Sequence, residues 1–513
     1  MYILCTLPYT RCSMDVYSPS ERRFLTAVSN LAYSNPFLPE RLEYEKTALG
    51  RDFVPGGPVW SASVGDPDTE PPNLIRLHAR LEPMIESIHA RMERASDMTA
   101  ADLAIYEESV HEMLYERYYR KFAAADGRWH FYRQFLADWK RFFSIAGKRF
   151  ETALQPAHVF ACYRQVRRAF LHIFDNIIGD SMPAARLRAS VWQSIFTHDM
   201  RRYRRMLYAR MGDFPTLITG PSGTGKELVA RAIGAARFVP FDADRMEFAD
   251  APGESFFAIN LAALSPTLIE SELFGHRRGA FTGATGDRKG WLDACPEPGS
   301  VFLDELGEME LSLQVKLLRV IETRRFSPVG DTALHVFRGK LIAATNRNLA
   351  EEIQAGRFRE DLYYRLCADL IHTPSLREQI EDTPEVLHDL LHYMVRRTVG
   401  QEAEQCLPDV EAWIHSHLPA DYAWPGNYRE LEQCVRNIII RRSYQPIVHP
   451  RSEGEVFASQ VQCGQASAEE LLSWYSALVY RKAGSYEEAA RRLGLDRRTV
   501  KAKVELFLQK EAG

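Results

Sequence analysis

A chain of 513 residues, 46% of them hydrophobic and 26% charged, is ordinary globular material and long enough for three or four domains. A formal charge of −4 and a pI near 6.5 exclude a globally basic protein built to coat nucleic acid or an anionic membrane, so any basic surface must be local. Cys5, Cys12, Cys162, Cys295, Cys367, Cys406, Cys434 and Cys463 follow no metal-ligand spacing, no apolar run spans a bilayer, and the first residues lack a signal-peptide layout; the expectation is a reduced, cytoplasmic chain without membrane contact.

Residues 1–178 read as a mainly helical domain, interrupted by a Pro/Gly-rich irregular stretch from Phe53 to Pro72. Thr99-Ala-Ala-Asp102 caps a helix whose stripe is Leu103, Tyr106, Val110, Met113 and Leu114, and further helices are expected over Trp129–Phe143 and Ala157–Ile177. Aromatic residues are dense from Tyr115 to Phe143 and read as core rather than as a ligand box. His111-Glu112 begins like a zinc-protease motif, but Tyr115 stands where the second histidine is needed. Seven arginines between Arg186 and Arg210 read as a solvated helix face.

An α/β pattern starts near residue 179. Thr216–Thr219 is a short apolar strand, Gly220-Pro-Ser-Gly-Thr-Gly-Lys226 follows it, and Leu228–Ile233 reads as a helix. Gly220, Gly223 and Gly225 let the backbone curl through Pro221, Ser222 and Thr224 so that N–H groups converge on phosphate oxygens, while Lys226 supplies charge to the β- and γ-phosphates of ATP. Glu227 occupies the place where Ser or Thr ordinarily touches Mg2+. Gly234–Ser255 is acidic and reads as a loop insertion. Gly279-Ala-Phe-Thr-Gly-Ala284 places Phe281 and Thr282 at an exposed tip, with Gly279 and Gly283 free to hinge beside Ala280 and Ala284.

Phe256–Asn260, Ser300–Leu303 and Lys340–Ala344 read as further strands separated by helices, which implies a parallel sheet with right-handed crossovers. Asp304-Glu305 then sits at the C-terminal end of its strand, where such sheets bind ligands. Asp304 would hold Mg2+ through water, and Glu305 would polarise the attacking water as general base. His388 and His392 share a helix face without a third ligand and read as a surface pair. A polar linker leads to three expected helices, Ala468–Ala483, Tyr486–Leu493 and Arg497–Leu508. Between Arg481 and Lys503 stand eight basic and three acidic residues, a local charge of +5 that is the footprint of DNA binding. Arg497, Arg498, Thr499, Lys501 and Lys503 lie at or near the start of the last helix, where side chains reach bases and phosphates of double-stranded DNA.

Several of these segments stand in a telling order: Gly220–Glu227, Leu268-Ile-Glu-Ser-Glu-Leu-Phe-Gly275, Gly279–Ala284, Phe302-Leu-Asp-Glu305, Ala343-Ala-Thr-Asn346, Phe358-Arg-Glu-Asp-Leu-Tyr-Tyr-Arg-Leu366 and Trp424-Pro-Gly-Asn-Tyr-Arg-Glu-Leu431. Together they resemble the AAA+ domain of bacterial sigma-54-dependent transcriptional activators, over about residues 178–445, and Ala489–Val500 is similar to the Fis-type helix-turn-helix. The fold the resemblance implies is an α/β AAA+ P-loop ATPase core at 179–375 and a helical lid at 376–445, then a linker at 446–467 and a helix-turn-helix at 468–511.

By the same resemblance Glu227 fits the family's own phosphate loop, Asn260 is similar to a switch that restrains the catalytic glutamate, and Thr345 and Asn346 look like the sensor of the γ-phosphate. Arg359 and Arg365 are similar to arginine fingers acting on a neighbouring subunit's ATP, which implies a homo-oligomeric ring, most simply a hexamer; Arg429 resembles the second sensor. The loop Gly279–Ala284 would contact sigma-54. Two functions are open: a DNA-bound ATPase that remodels sigma-54 RNA polymerase, or an AAA+ DNA-binding regulator or scaffold that does not touch sigma-54.

Overall fold

The computed structural model describes residues 16–56, 71–95, 98–124, 127–249, 255–446 and 466–511, with 461 and 464. Short apolar runs build one parallel sheet whose strands lie in the order Asp369–His372, Thr216–Thr219, Lys340–Thr345, Ser300–Asp304, Phe256–Asn260. Four of these strands are legible as period-free apolar runs, as expected for strands covered on both faces. The fifth, Asp369–His372, is an edge strand with Leu370 and His372 exposed, so its pattern is diluted. Alternate side chains feed two cores. Ile218, Phe302 and Ile342 pack with Trp192, Phe196 and Val229, whereas Leu217, Leu303 and Leu341 pack with Leu273, Leu317 and Leu362.

Register sets the site. Thr219 pairs with both Thr345 and His372, and Asn260 pairs with Asp304, so all five strands finish at one edge of the sheet. The helix Lys226–Ala235 leaves that edge directly from the glycine-rich loop. The lid consists mainly of the helices Val386–Val399, Ala403–His417 and Asn427–Arg441.

The N-terminal region is helical as expected, with helices Pro19–Tyr33, Glu40–Leu49, Pro72–Met92, Ala100–Ala124, Tyr132–Phe143 and Pro156–Asn176. The Thr99 hydroxyl accepts from Asp102 N at 3.1 Å. Part of the Phe53–Pro72 stretch, residues 57–70, lies outside the described residues. Tyr118, Phe122, Trp129, Phe135, Trp139 and Phe142 are buried in one aromatic core. Of the seven arginines leading to the sheet, Arg186, Arg202, Arg205 and Arg210 are exposed as expected, whereas Arg188 is buried and donates to the carbonyls of Ile177 and Gly179, and Arg201 pairs with Glu108 at 2.6 Å.

The acidic insertion also departs from expectation. Within it, Phe241–Asp242 pairs antiparallel with Glu247–Phe248, and Asp242 closes the turn by accepting from the backbone N–H groups of Asp244 and Arg245. The two phenylalanines belong to the N-terminal core: Phe248 meets Trp129 at 4.7 Å and Phe241 meets Tyr132 at 4.7 Å between ring centres. Arg164 stacks 4.0 Å over Phe248. An insertion legible only by its acids is therefore an apolar plug. Asp250 and Glu254, also counted among those acids, lie outside the described residues.

Residues 1–443 form one compact unit and 444–513 a second. The second holds helices Ala468–Ala483, Tyr486–Leu493 and Arg497–Glu511, closed around Ala489, Ala490, Val500 and Val504. Gly484 and Gly494 end the first two in left-handed conformation.

Candidate functional site

Gly220 and Gly223 cannot be replaced without displacing backbone. A Cβ on Gly220 would lie 2.2 Å from Thr373 Oγ1, and one on Gly223 would lie 2.3 Å from the carbonyl oxygen of Gly426. The loop is thus pressed between the end of an edge strand and the start of the last lid helix. Lys226 is buried within it and donates to the carbonyls of Gly220 at 3.0 Å and Pro221 at 2.9 Å. Burial lowers the Lys226 pKa, and the Glu305 and Asp304 carboxylates oppose that shift.

Asp304 and Glu305 stand together at the strand end. Burial, and then the adjacent Glu305 charge, raise the Asp304 pKa, against the backbone N–H of Glu305 that donates to Asp304 at 3.0 Å. Glu305 takes a left-handed backbone, φ 54°, a strained geometry for a residue with a side chain. Asn260 donates to Asp304 at 3.5 Å and accepts from Ala262 N. The expected partner was the catalytic glutamate; the contact goes instead to the aspartate, because Asn260 and Asp304 are cross-strand neighbours. Glu227 turns outward and pairs with Arg231 at 2.9 Å, one helical turn on. Thr345 is buried and its hydroxyl caps Arg347 N, while Asn346 is exposed beside it.

The lid meets the loop through Asn427, in the segment Trp424–Leu431. Its amide donates to the Ser222 carbonyl at 2.9 Å and accepts from Leu376 N at 2.8 Å, and the next residue, Tyr428, donates its N–H to the Gly223 carbonyl at 3.1 Å. Trp424 and Asn427 both have positive φ, so the turn aims the helix at the loop. Arg429 Cβ faces Gly223, and its charge reaches Lys226. Thr373 is a residue that sequence reasoning missed: it bonds Thr224 Oγ1 at 2.6 Å under the loop. The glycine cradle, the buried lysine and the acidic strand end fit a nucleotide triphosphate with its divalent cation.

Residues 196–372 match the family model of the Sigma-54 interaction domain. The central domain belongs to the sigma-54 interaction family. Among similar proteins, luminescence regulatory protein LuxO of Vibrio campbellii is 44% identical over 238 residues, which are 46% of this chain and 48% of LuxO. Transcriptional regulatory protein ZraR of Escherichia coli K12 is 38% identical over 56% of this chain and 62% of ZraR. The chain thus spans about half to three fifths of the curated relatives it matches. A solved structure, NtrX of Brucella abortus in complex with ATP, is 24% identical over 72% of this chain and 79% of that one, with a TM-score of 0.39.

In this sigma-54 interaction domain the Gly279–Ala284 loop closes on itself, Gly279 N donating to the Ala284 carbonyl at 2.9 Å. Gly279 and Gly283 have φ of 82° and 100°, which permits the tight reversal. Thr282 is exposed at the tip. Phe281 is only half-exposed, since its ring meets His276 edge-on at 4.9 Å. His276 is itself buried and bonded to Ser271, and Arg277 pairs with Asp287 and Asp331, so the basic run before the loop anchors its base.

Arg359 and Arg365 lie on the surface of the domain, paired with Asp361 at 2.6 Å and Glu322 at 3.2 Å. The Arg359 N–H is held by the buried amide of Gln314, which also donates to the carbonyls of Met309 and Arg357. His388 and His392 bond Glu411 and Glu404, and among the described residues no group of three or more His, Cys, Asp or Glu is placed to hold a metal. Cys5, Cys12 and Cys463 lie outside the described residues; the described cysteines are free. No helix among them is long and apolar enough to cross a membrane.

In the C-terminal unit Arg498 is exposed, with no side-chain partner among the described residues. Arg497 pairs with Glu487, Lys501 lies 3.6 Å from Glu505, and the Thr499 hydroxyl bonds Asp496. Lys503 differs from the expectation: it folds back onto Glu469 at 2.7 Å and is largely covered.

Proposed function

We propose that this chain is an ATP-hydrolysing, cytoplasmic, sigma-54-dependent transcriptional regulator that binds double-stranded DNA through its C-terminal unit and remodels sigma-54 RNA polymerase as a hexameric ring. The observation that carries this reading is a complete phosphate loop, with Asp304 and Glu305 at its edge, inside a domain of the sigma-54 interaction family. ATP would supply the phosphoanhydride whose hydrolysis drives the cycle, and Mg2+ would neutralise charge developing on its phosphates. The loop N–H groups from Gly220 to Lys226 hold phosphate oxygens, and Lys226 exchanges its two carbonyl partners for them. Asp304 would hold the metal through water. Glu305 accepts the proton of the attacking water, a contribution of roughly two to four decades.

Asn260 orients Asp304, and Thr345 and Asn346 respond to the γ-phosphate. Arg429 reports the same event to the lid. Arg359 and Arg365 exchange Asp361 and Glu322 for the neighbouring subunit's nucleotide, where a planar guanidinium stabilises spread charge. Gly279–Ala284 carries the movement to sigma-54 through Phe281 and Thr282.

Glu305→Gln should retain ATP-analogue binding and lose ATPase activity by about a hundredfold or more. Purified sigma-54 should be captured by the wild-type ring with a nucleotide analogue and not by Thr282→Ala or Phe281→Ala. An active ATPase that captures no sigma-54 in any nucleotide state would instead favour the regulator or scaffold without polymerase contact.

A further inference from the structure

Between the N-terminal helices and the helix Met182–Phe196 lies a cavity of about 290 Å³. That is roughly twice the 150 Å³ that holds a benzene molecule, and at the lower end of small-molecule sites. One part of its wall is aromatic: Tyr115, Tyr163, Phe170, Phe174 and Trp192 present rings from three helices. Flat faces of this kind favour a planar, apolar occupant.

The buried carboxylates of the lining are paired. Glu45 pairs with Arg41 at 2.6 Å, Glu108 with Arg201 at 2.6 Å, and Glu112 and Glu116 with His78 at 3.5 and 3.2 Å, while Asp175 stands exposed at the rim. Arg204 forms no ion pair among the described residues and its Nε is buried without a hydrogen-bond partner, while the Tyr33 hydroxyl and the more distant Glu107 charge act on it. The Tyr33 hydroxyl is likewise buried without a hydrogen-bond partner. Burial raises the Tyr33 pKa and the Arg204 guanidinium opposes that shift, its carbon 5.7 Å from the Tyr33 ring centre. Two unmatched donors beside an apolar slot are costly unless an acceptor arrives.

We infer that this cavity is an effector site for a planar aromatic carboxylate of one or two rings, its carboxylate received by Arg204 and the Tyr33 hydroxyl and its rings by the aromatic walls. The site also has an outlet. Trp192, Phe196 and Tyr203 belong to the core that contains Val229 and Ile233 of the phosphate-loop helix, and Arg204 sits in a π-helical turn, Tyr203–Leu207, shortly before the strand Thr216–Thr219. An occupant therefore touches the N-terminal helices and the wall of the ATPase at once.

The test uses the full chain and binding alone, so its failure is separable from any failure of the ATPase or sigma-54 reading. Benzoate and 2-naphthoate are titrated by calorimetry, with Trp192 fluorescence as a second readout and naphthalene-2-carboxamide as the uncharged control. Saturable binding of one of the two carboxylates, tighter than the amide, is expected. Arg204→Gln should weaken it roughly ten- to a hundredfold, the loss expected for a charged hydrogen bond. Should Arg204→Gln not fold, Tyr33→Phe carries the same comparison with a smaller loss. Val166→Trp, which fills the cavity, should abolish binding of carboxylate and amide alike. No binding of either carboxylate at millimolar concentration, or affinity unchanged in the folded Arg204 or Tyr33 variant, overturns the assignment.

Discussion

Asp304 illustrates how a single side chain is held in an environment that opposes its charge. Burial and then Glu305 raise its pKa above the ordinary aspartate value. A carboxyl with a raised folded pKa stabilises the fold fully below its unfolded pKa, and that contribution is lost as pH rises through the folded value. At neutral pH the ionised group is consequently a net cost to the nucleotide-free protein. Asp304→Asn should raise the nucleotide-free melting temperature at pH 7 and abolish ATPase activity; a lower melting temperature in the variant would contradict this account. At this scale much of the site was legible. Gly220–Lys226 and Asp304-Glu305 declare themselves because a local backbone shape or strand end suffices for their chemistry. Asn427, Thr373 and Gln314 did not, since each acts on a partner far along the chain: Asn427 on Ser222, Thr373 on Thr224, Gln314 on Arg359.

The lid helix depends on its first residue more than on its length. Asn427 joins Ser222, Leu376 and a left-handed turn, a conformation Asn tolerates better than Ala. Asn427→Ala should destabilise the protein by about 1–3 kcal/mol in chemical denaturation, through buried groups left unpaired, and should weaken ATP-analogue binding. Loss of stability without loss of nucleotide affinity would separate the lid from the site. The last C-terminal helix divides by face in the same way. Arg498→Ala should weaken DNA binding and lower the salt slope by about one, the mark of one phosphate contact. Lys503→Ala should leave that slope unchanged, because its ammonium is already engaged by Glu469. Helices and central strands were readable from capping and apolar runs. The strand Asp369–His372 was not, because an edge strand shares its pattern with a loop.

Over the whole molecule, the sequence divides more sharply than the packing does. Its change from helical to α/β pattern near residue 179 is real, yet residues 1–443 form one compact unit. Two joints make it so: Ala169 and Ile173 of the helix Pro156–Asn176 share a core with Val229 and Ile233 of the phosphate-loop helix, and the hairpin of Phe241 and Phe248, just after that helix, completes the aromatic core of the N-terminal helices. A chain begun at residue 179 would bare both rings. It should aggregate at concentrations where the intact protein stays monodisperse in light scattering, and Phe241→Ser with Phe248→Ser should relieve the defect; equal dispersity without those changes would show that the plug is dispensable. Regions joined in this manner cannot be traded like beads on a string. A transplant of the N-terminal helices would need to carry the hairpin as well, so the heritable part is discontinuous, one piece lying embedded within its neighbour.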